Sequence, residues 1–139
     1  MQARSRHELE QALRNRRIPA EAAQRVLDRL QQAGLLDDEK LARDWVELRQ
    51  ARRHLSRSAL RHELQAKGVA RDDIDAALDE VSRDDELRAA RSLAGKRLES
   101  MAGVSQEAKQ RRVAGALARR GFSSDVVARV LADVLGGAE

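Results

Sequence analysis

The chain has no cysteine and no tyrosine, and its 139 residues include only one proline, one tryptophan and one phenylalanine. The lack of cysteine excludes disulfide bonds and thiolate metal sites, and it fits a reducing compartment. Runs of β-branched or aromatic residues long enough for a strand are also missing, whereas Ala, Leu, Arg, Glu and Gln are abundant and favour helices. We therefore expect an all-α protein.

Long apolar segments are absent as well. No apolar run approaches the roughly 20 residues that a membrane-spanning helix needs. The chain starts with MQARSRH, which lacks the apolar core of a secretion signal. These absences predict a cytoplasmic protein with no membrane partner.

Motifs for catalysis and for cofactor binding are missing too. The three histidines, His7, His54 and His62, have no metal-ligating neighbour at i+4, and there is no Gly-rich phosphate loop or Gly-x-Ser-x-Gly elbow. The acidic run Asp37-Asp38-Glu39 stands at the start of a predicted helix, where the helix dipole already accounts for it. We therefore predict that the chain is not an enzyme and holds no metal and no cofactor.

The chain does contain a repeated apolar pattern, in steps of 51 and 53 residues. Its copies are Leu9-x3-Leu13-x4-Ile18, Leu60-x3-Leu64-x4-Val69 and Val113-x3-Leu117-x4-Phe122. A second set of apolar residues continues the match into the following helix, and Ala23, Ile74 and Val127 begin it in the three copies. Self-similarity at this period is typical of an array in which each copy is too small to bury its own apolar face.

The repeat and its flanking signals predict about eight helices in three tandem copies of a small three-helix unit. We place the copies at residues 1–54, 55–103 and 104–139, with only two helices in the last one. The predicted architecture is an elongated and curved array. An extended surface of this kind usually binds a polymer or another protein.

Helix boundaries carry recognisable capping residues. Ser5 and Glu8 have the spacing of a capping box at the start of the first helix. Gly68 and Gly121 suit a left-handed turn at the ends of two later helices. The equivalent residue of the first copy is Arg17, so we expect that turn to be made differently.

Charges are segregated along the chain, although the formal net charge is only +4. Residues 49–71 hold seven basic residues and one acid, residues 72–86 hold eight acids and one base, and residues 109–120 hold five bases and no acid. Arginine outnumbers lysine by 23 to 4, which favours geometric recognition of carboxylate or phosphate groups. Separate basic and acidic faces can orient a charged partner.

The basic clusters are the candidate binding residues, set against the alternative that they are only a solvated face. The principal candidates come from the middle of the chain, and supporting candidates come from equivalent places in the other copies. They are Arg49, Arg52, Arg53, Arg57, Arg61 and Lys67, with Arg16, Arg17, Arg111, Arg112, Arg119 and Arg120 as supports.

Four local motifs are spread along the chain. The first runs Gly34-Leu-Leu-Asp-Asp-Glu39, then Leu41-Ala42 and Trp45-Val46-x2-Arg49. The others are Ser5-Arg-x2-Glu8-Leu9-x3-Leu13, Leu60-x2-Glu63-Leu64-x2-Lys67-Gly68-Val69 and Leu117-x-Arg119-Arg120-Gly121-Phe122-Ser123. Taken together, these motifs resemble the RecX family, which regulates the RecA recombinase of bacteria. The resemblance covers nearly the whole chain, and Leu41 departs from it where the family usually has an aromatic residue.

This resemblance implies a non-enzymatic negative regulator whose partners are RecA and the RecA–DNA filament. Such a protein would lie in the filament groove and inhibit recombination, ATP hydrolysis and the coprotease activity of the SOS response. We expect a monomer, and weak direct DNA binding is left open beside the protein partner.

Two other interpretations remain open at this stage. Three-helix units have the size of helix-turn-helix modules, so the chain could be a DNA-binding protein with tandem units that read the major groove. The acidic stretch at residues 72–86 and the lack of a clear base-reading helix count against this interpretation. The chain could also be an adaptor for an unrelated helical partner.

Overall fold

The computed structural model describes residues 4–53 and 55–136, apart from the side chains of residues 51–53. Every regular element in these ranges is an α-helix, as predicted from the composition. The eight helices are α1 (Arg6–Asn15), α2 (Ala20–Gln32), α3 (Asp38–Arg53), α4 (Arg57–Ala66), α5 (Arg71–Asp79), α6 (Arg83–Glu99), α7 (Gln106–Arg119) and α8 (Ser124–Val134).

The chain divides into two compact units whose boundaries fall inside α3 and α4. Unit 1 comprises Met1–Val46 and Arg61–Glu80, and unit 2 comprises Glu47–Leu60 and Val81–Glu139. In unit 1, α1 packs on α2, and α5 buries Ile74, Ala77 and Leu78. In unit 2, α6, α7 and α8 pack against one another in all three pairs.

The core of unit 2 follows the apolar repeat closely. Leu93 and Ala94 of α6 lie with Val113 and Leu117 of α7 and Val130 of α8 in one buried cluster. Phe122 belongs to the same cluster, as predicted. Copy one conforms less well, because Ile18 is 38% exposed where Val69 and Phe122 are buried.

The end of the first helix is built in the same way in all three copies. Arg17 has a φ of 61°, beside 76° at Gly68 and 87° at Gly121. Ile18 N–H donates to the Leu13 carbonyl (3.1 Å), and equivalent bonds close the turns after Gly68 and Gly121. These are Schellman-type ends. The expectation that the first copy turns differently is therefore wrong, because an arginine here accepts the left-handed conformation.

The start of the first helix makes a recurring long-range contact. Ser5 caps α1 in a capping box with Glu8, as predicted, and its hydroxyl also donates to the carbonyl of Lys67 at the end of α4. Ser56 does the same one repeat later, because its Oγ accepts from Ala59 N–H (3.0 Å) and donates to the carbonyl of Arg120 at the end of α7 (2.6 Å).

An acidic side chain completes each of these junctions. The Arg6 N–H of α1 donates to Asp38 Oδ1 at the start of α3 (3.0 Å). The Arg57 N–H of α4 donates to Glu86 Oε2 in the first turn of α6 (2.9 Å). A carboxylate thus satisfies a backbone donor that has no partner within its own helix.

Candidate partner-binding surfaces

Lys67 is held mainly by contacts inside unit 1. Its Nζ lies 3.0 Å from Glu8 Oε1 and 4.8 Å from the centroid of the Trp45 ring, and its side chain is only 13% exposed. Burial raises the pKa of Glu8, but the hydrogen bond from the Ser5 N–H and the neighbouring Lys67 outweigh it, so the pKa lies below the ordinary value. These contacts give Lys67 a structural role inside unit 1.

Two further arginines of the central cluster are engaged within the fold. Arg61 Nη2 lies 2.8 Å from Asp75 Oδ1 on α5. Arg49 is half-buried and is engaged within the chain. Both side chains therefore offer less free charge than the sequence suggests.

Arg49, Arg53, Arg57 and Arg61 are spaced by four in the sequence, but they do not lie on one continuous helix. Helix α3 ends at Arg53 and α4 begins at Arg57, with buried Ser56 between them. A helix break therefore separates Arg49 and Arg53 from Arg57 and Arg61. The side chains of Arg52 and Arg53 lie outside the described part of the structure.

The turn after α1 presents an accessible pair of basic residues in unit 1. Arg16 and Arg17 are both exposed, and Ile18 follows them with 38% of its surface accessible. Leu35, after the end of α2, is 77% exposed. Unit 1 thus presents exposed arginines, a residue type enriched at protein–protein interfaces, together with exposed apolar side chains that a partner could bury.

The basic residues of α7 surround a concave surface of unit 2. Arg111, Arg112 and Arg119 line a cavity of about 460 Å³, and Arg97 from α6 joins them. Sequence reasoning missed Arg97, because it lies 14 residues before Arg111 and only the packing of α6 on α7 brings the two helices together. Arg120, which follows α7, is half-buried and its carbonyl is bonded by Ser56.

Acidic residues line a second cavity, of about 440 Å³, in unit 1. Asp37, Asp38 and Glu39 at the start of α3 meet Asp73 of α5 there, with Arg6 as the basic lining residue. Burial, and then repulsion from the neighbouring carboxylates, raises the pKa of Asp73 above its ordinary value. The described residues include no group of three or more His, Cys, Asp or Glu side chains arranged to hold a metal ion.

Among the described residues, no helix is both long and apolar enough to cross a membrane.

The candidate binding surfaces are of two kinds. Exposed arginine and apolar side chains lie on unit 1, and an arginine-lined cavity lies on unit 2.

Comparison with protein-family models matches three consecutive stretches of the chain. They are described as the first, second and third three-helix domains of RecX, at residues 1–30, 37–78 and 84–131. The second range covers α3 to α5 and the third covers α6 to α8. A tandem array can be divided into repeats before α3 and α6, as in these ranges, or before α4 and α7, as predicted from the sequence. The predicted limits at 54/55 and 103/104 therefore stay a prediction.

Similar proteins carry the same description. The regulatory protein RecX of Streptomyces coelicolor is 41% identical over 132 residues, which cover 95% of this chain and 70% of that protein. The regulatory protein RecX of Thermobifida fusca is 42% identical, over 95% of this chain and 71% of that protein.

Solved structures of RecX proteins have the same fold. The crystal structure of RecX from Lactobacillus salivarius superposes with a TM-score of 0.88 at 22% identity, over 96% of this chain and 86% of that one. A second crystal structure of a regulatory protein RecX gives a TM-score of 0.84 at 25% identity, over 93% of this chain and 65% of that one. With the family models and the relatives at about 40% identity, these likenesses lead to one conclusion: the chain belongs to the RecX family of regulatory proteins.

Proposed function

We propose that this protein is a non-enzymatic negative regulator of RecA. It binds in the groove of the RecA–DNA filament and inhibits recombination, ATP hydrolysis and the coprotease activity of the SOS response. Membership of a family of regulatory proteins supports this proposal, and so does the all-helical repeat architecture. The main structural support for the proposal is the exposed Arg16-Arg17-Ile18 turn of unit 1.

The contact residues proposed for the filament are the basic side chains named from the sequence. They are Arg49, Arg52, Arg53, Arg57, Arg61 and Lys67, with Arg16, Arg17, Arg111, Arg112, Arg119 and Arg120 as supports. We expect these side chains to contribute unequally to binding, because Arg61 and Lys67 already have acidic partners inside the fold. Arg16 and Arg17 are exposed and have no side-chain partner in the described residues, so they are the better residues to test.

The test is the rate of ATP hydrolysis by RecA on single-stranded DNA while this protein is added up to stoichiometric amounts. We expect progressive inhibition by the unaltered protein. The variant Arg16→Glu/Arg17→Glu should lose inhibition by at least about tenfold in the concentration required, since each interface arginine contributes roughly 1 kcal/mol or more.

The matched control is Arg25→Glu/Arg29→Glu, which reverses the same number of charges at exposed positions of α2 outside the proposed contacts. It should inhibit like the unaltered protein, and circular dichroism should show the same helix content in all three. Unchanged ATP hydrolysis with the unaltered protein at stoichiometric amounts would defeat the proposed function. A second measurement compares binding to preformed filaments with binding to naked DNA, and tighter binding to the filaments is expected.

A further inference from the structure

The arginine-lined cavity of unit 2 contains an unusual concentration of one charge. Arg97, Arg111, Arg112 and Arg119 line it together with Met101, Gly115 and Ala116. None of its seven lining residues is acidic. Four guanidinium groups therefore face one cavity of about 460 Å³.

These four side chains have no internal counter-charge. Within residues 4–53 and 55–136, none of the four guanidinium groups forms an ion pair or a hydrogen bond, whereas Arg91 elsewhere on α6 is paired with Asp133 (3.0 Å). All four side chains are exposed, and like charges that line one concave surface repel one another and raise the local potential. An anion that enters the cavity would relieve this repulsion.

The residue spacing along α7 brings two of its arginines to one face of the helix. Arg111, Gly115 and Arg119 are spaced by four, so they lie on one face of the helix over about 12 Å. Gly115 has no side chain, and a Cβ placed there would lie 3.2 Å from Arg119 Nη1. Buried Met101 and Ala116 form an apolar floor. The absence of a side chain at Gly115 therefore leaves space for the Arg119 guanidinium group beside the cavity.

We propose that this cavity binds the sugar–phosphate backbone of nucleic acid. The planar guanidinium fork matches the oxygens of a phosphodiester, and contacts of this type bind without reading sequence. The lining residues include no aromatic side chain, so the cavity offers no platform for stacking bases. The bound strand is held by its phosphates alone.

An acidic protein segment is the competing occupant, and the surrounding surface disfavours it. The centre of a typical protein interface combines arginine with buried aromatic or other apolar side chains. The large hydrophobic residues exposed in the described part of the chain are Ile18, Val26, Leu35 and Leu48, and α6, α7 and α8 contribute none of them. Phosphate contacts require no such anchor.

This proposal goes beyond the regulation of RecA, and it is tested without RecA. A fluorescent single-stranded oligodeoxynucleotide of mixed sequence is titrated with the full chain from 50 to 200 mM salt. Four phosphate contacts predict a slope of log K against log salt of about −2.8, which is about a 50-fold loss of affinity over this range. Arg111→Gln/Arg119→Gln should halve the slope and reduce the loss to about sevenfold.

Two variants control for geometry and for overall charge. Arg111→Lys/Arg119→Lys keeps both charges and should keep the slope, while its affinity falls because the bidentate fork is lost. Arg25→Gln/Arg29→Gln removes the same charge from unit 1 and should bind like the unaltered protein. Circular dichroism and a thermal melt of each variant establish that it is folded.

Three outcomes would overturn the proposal. The first is no binding of the oligonucleotide at 50 mM salt. The second is binding whose salt slope is the same in Arg111→Gln/Arg119→Gln. The third is a glutamate-rich peptide of equal charge that competes as strongly as the oligonucleotide, because the cavity would then be a site for acidic protein segments. Inhibition of RecA by a protein with any of these results would leave the proposed function standing.

Discussion

Replacement of Ser56 by alanine tests the junction that recurs between repeats. The Ser56 hydroxyl is fully buried, caps α4 through Ala59 N–H and donates to the carbonyl of Arg120. Loss of the cap costs about 1 kcal/mol. The carbonyl of half-buried Arg120 would also lose its donor, which costs about 2 kcal/mol more. The free energy of unfolding should therefore fall by about 3 kcal/mol, since alanine removes one oxygen atom and restores neither bond.

Ser105→Ala is the matched control in the same unit. Ser105 caps α7 by accepting from Ala108 N–H (3.2 Å), but it is exposed and donates to no described carbonyl. Its replacement should cost only the cap, about 1 kcal/mol. Urea unfolding followed by circular dichroism at 25 °C measures both values, and the melting temperatures should fall by roughly 9 °C for Ser56→Ala and 3 °C for Ser105→Ala.

The difference between the two variants isolates the hydrogen bond to Arg120. We expect it to be about 2 kcal/mol, with unchanged denaturant dependence. If the two variants lose the same free energy within about 0.5 kcal/mol, the hydroxyl acts only as a helix cap. The recurring serine contact would then not stabilise the junction between repeats.

Three further predictions concern the turns and the acidic cavity. Arg17→Gly should raise the free energy of unfolding by about 0.5–1 kcal/mol in urea titrations. Glycine removes the strain of an arginine in the left-handed conformation, and this gain exceeds the loss that comes from the greater freedom of the unfolded chain. A lower free energy of unfolding would contradict this. Gly68→Ala should lower the free energy of unfolding by at least about 1 kcal/mol more than Gly34→Ala does. Both glycines have a positive φ, but only a Cβ at residue 68 would collide with His7 (2.3 Å). Equal decreases in the two variants would refute the collision. Asp73→Asn should stabilise the protein at pH 7, because the raised pKa means that the charged carboxylate weakens the fold. That gain should vanish on acidification below the ordinary aspartate pKa, and a gain that stays constant with pH would exclude this cause.

The two candidate surfaces differ in the physical basis of recognition. On unit 1, exposed Ile18 and Leu35 stand near charged side chains, and burial of apolar surface would supply the affinity for a protein. On unit 2, the arginines of the cavity would bind through charge, and their affinity would depend strongly on salt. A regulator built this way can contact a protein and a nucleic acid with separate parts of one chain.

The sequence alone determined the helical class, the number of helices, the cap at Ser5 and the left-handed glycines at 68 and 121. These features depend on residues within one or two turns of each other, so apolar periodicity and capping preferences suffice to predict them. It also placed the chain in its family, because the motifs around Gly34 and Gly121 are local strings.

Only the tertiary structure decided which charges are free. The basic clusters of the sequence predict Lys67 and Arg61 as binding residues, yet Glu8 and Asp75 approach them from other helices. Arg97 lies in none of those clusters, although packing of α6 on α7 brings it to the cavity of Arg111, Arg112 and Arg119. A nearby carboxylate partly neutralises and positions a guanidinium group even where the pair itself contributes little energy. Whether a carboxylate lies within reach is set by how helices far apart in sequence pack together.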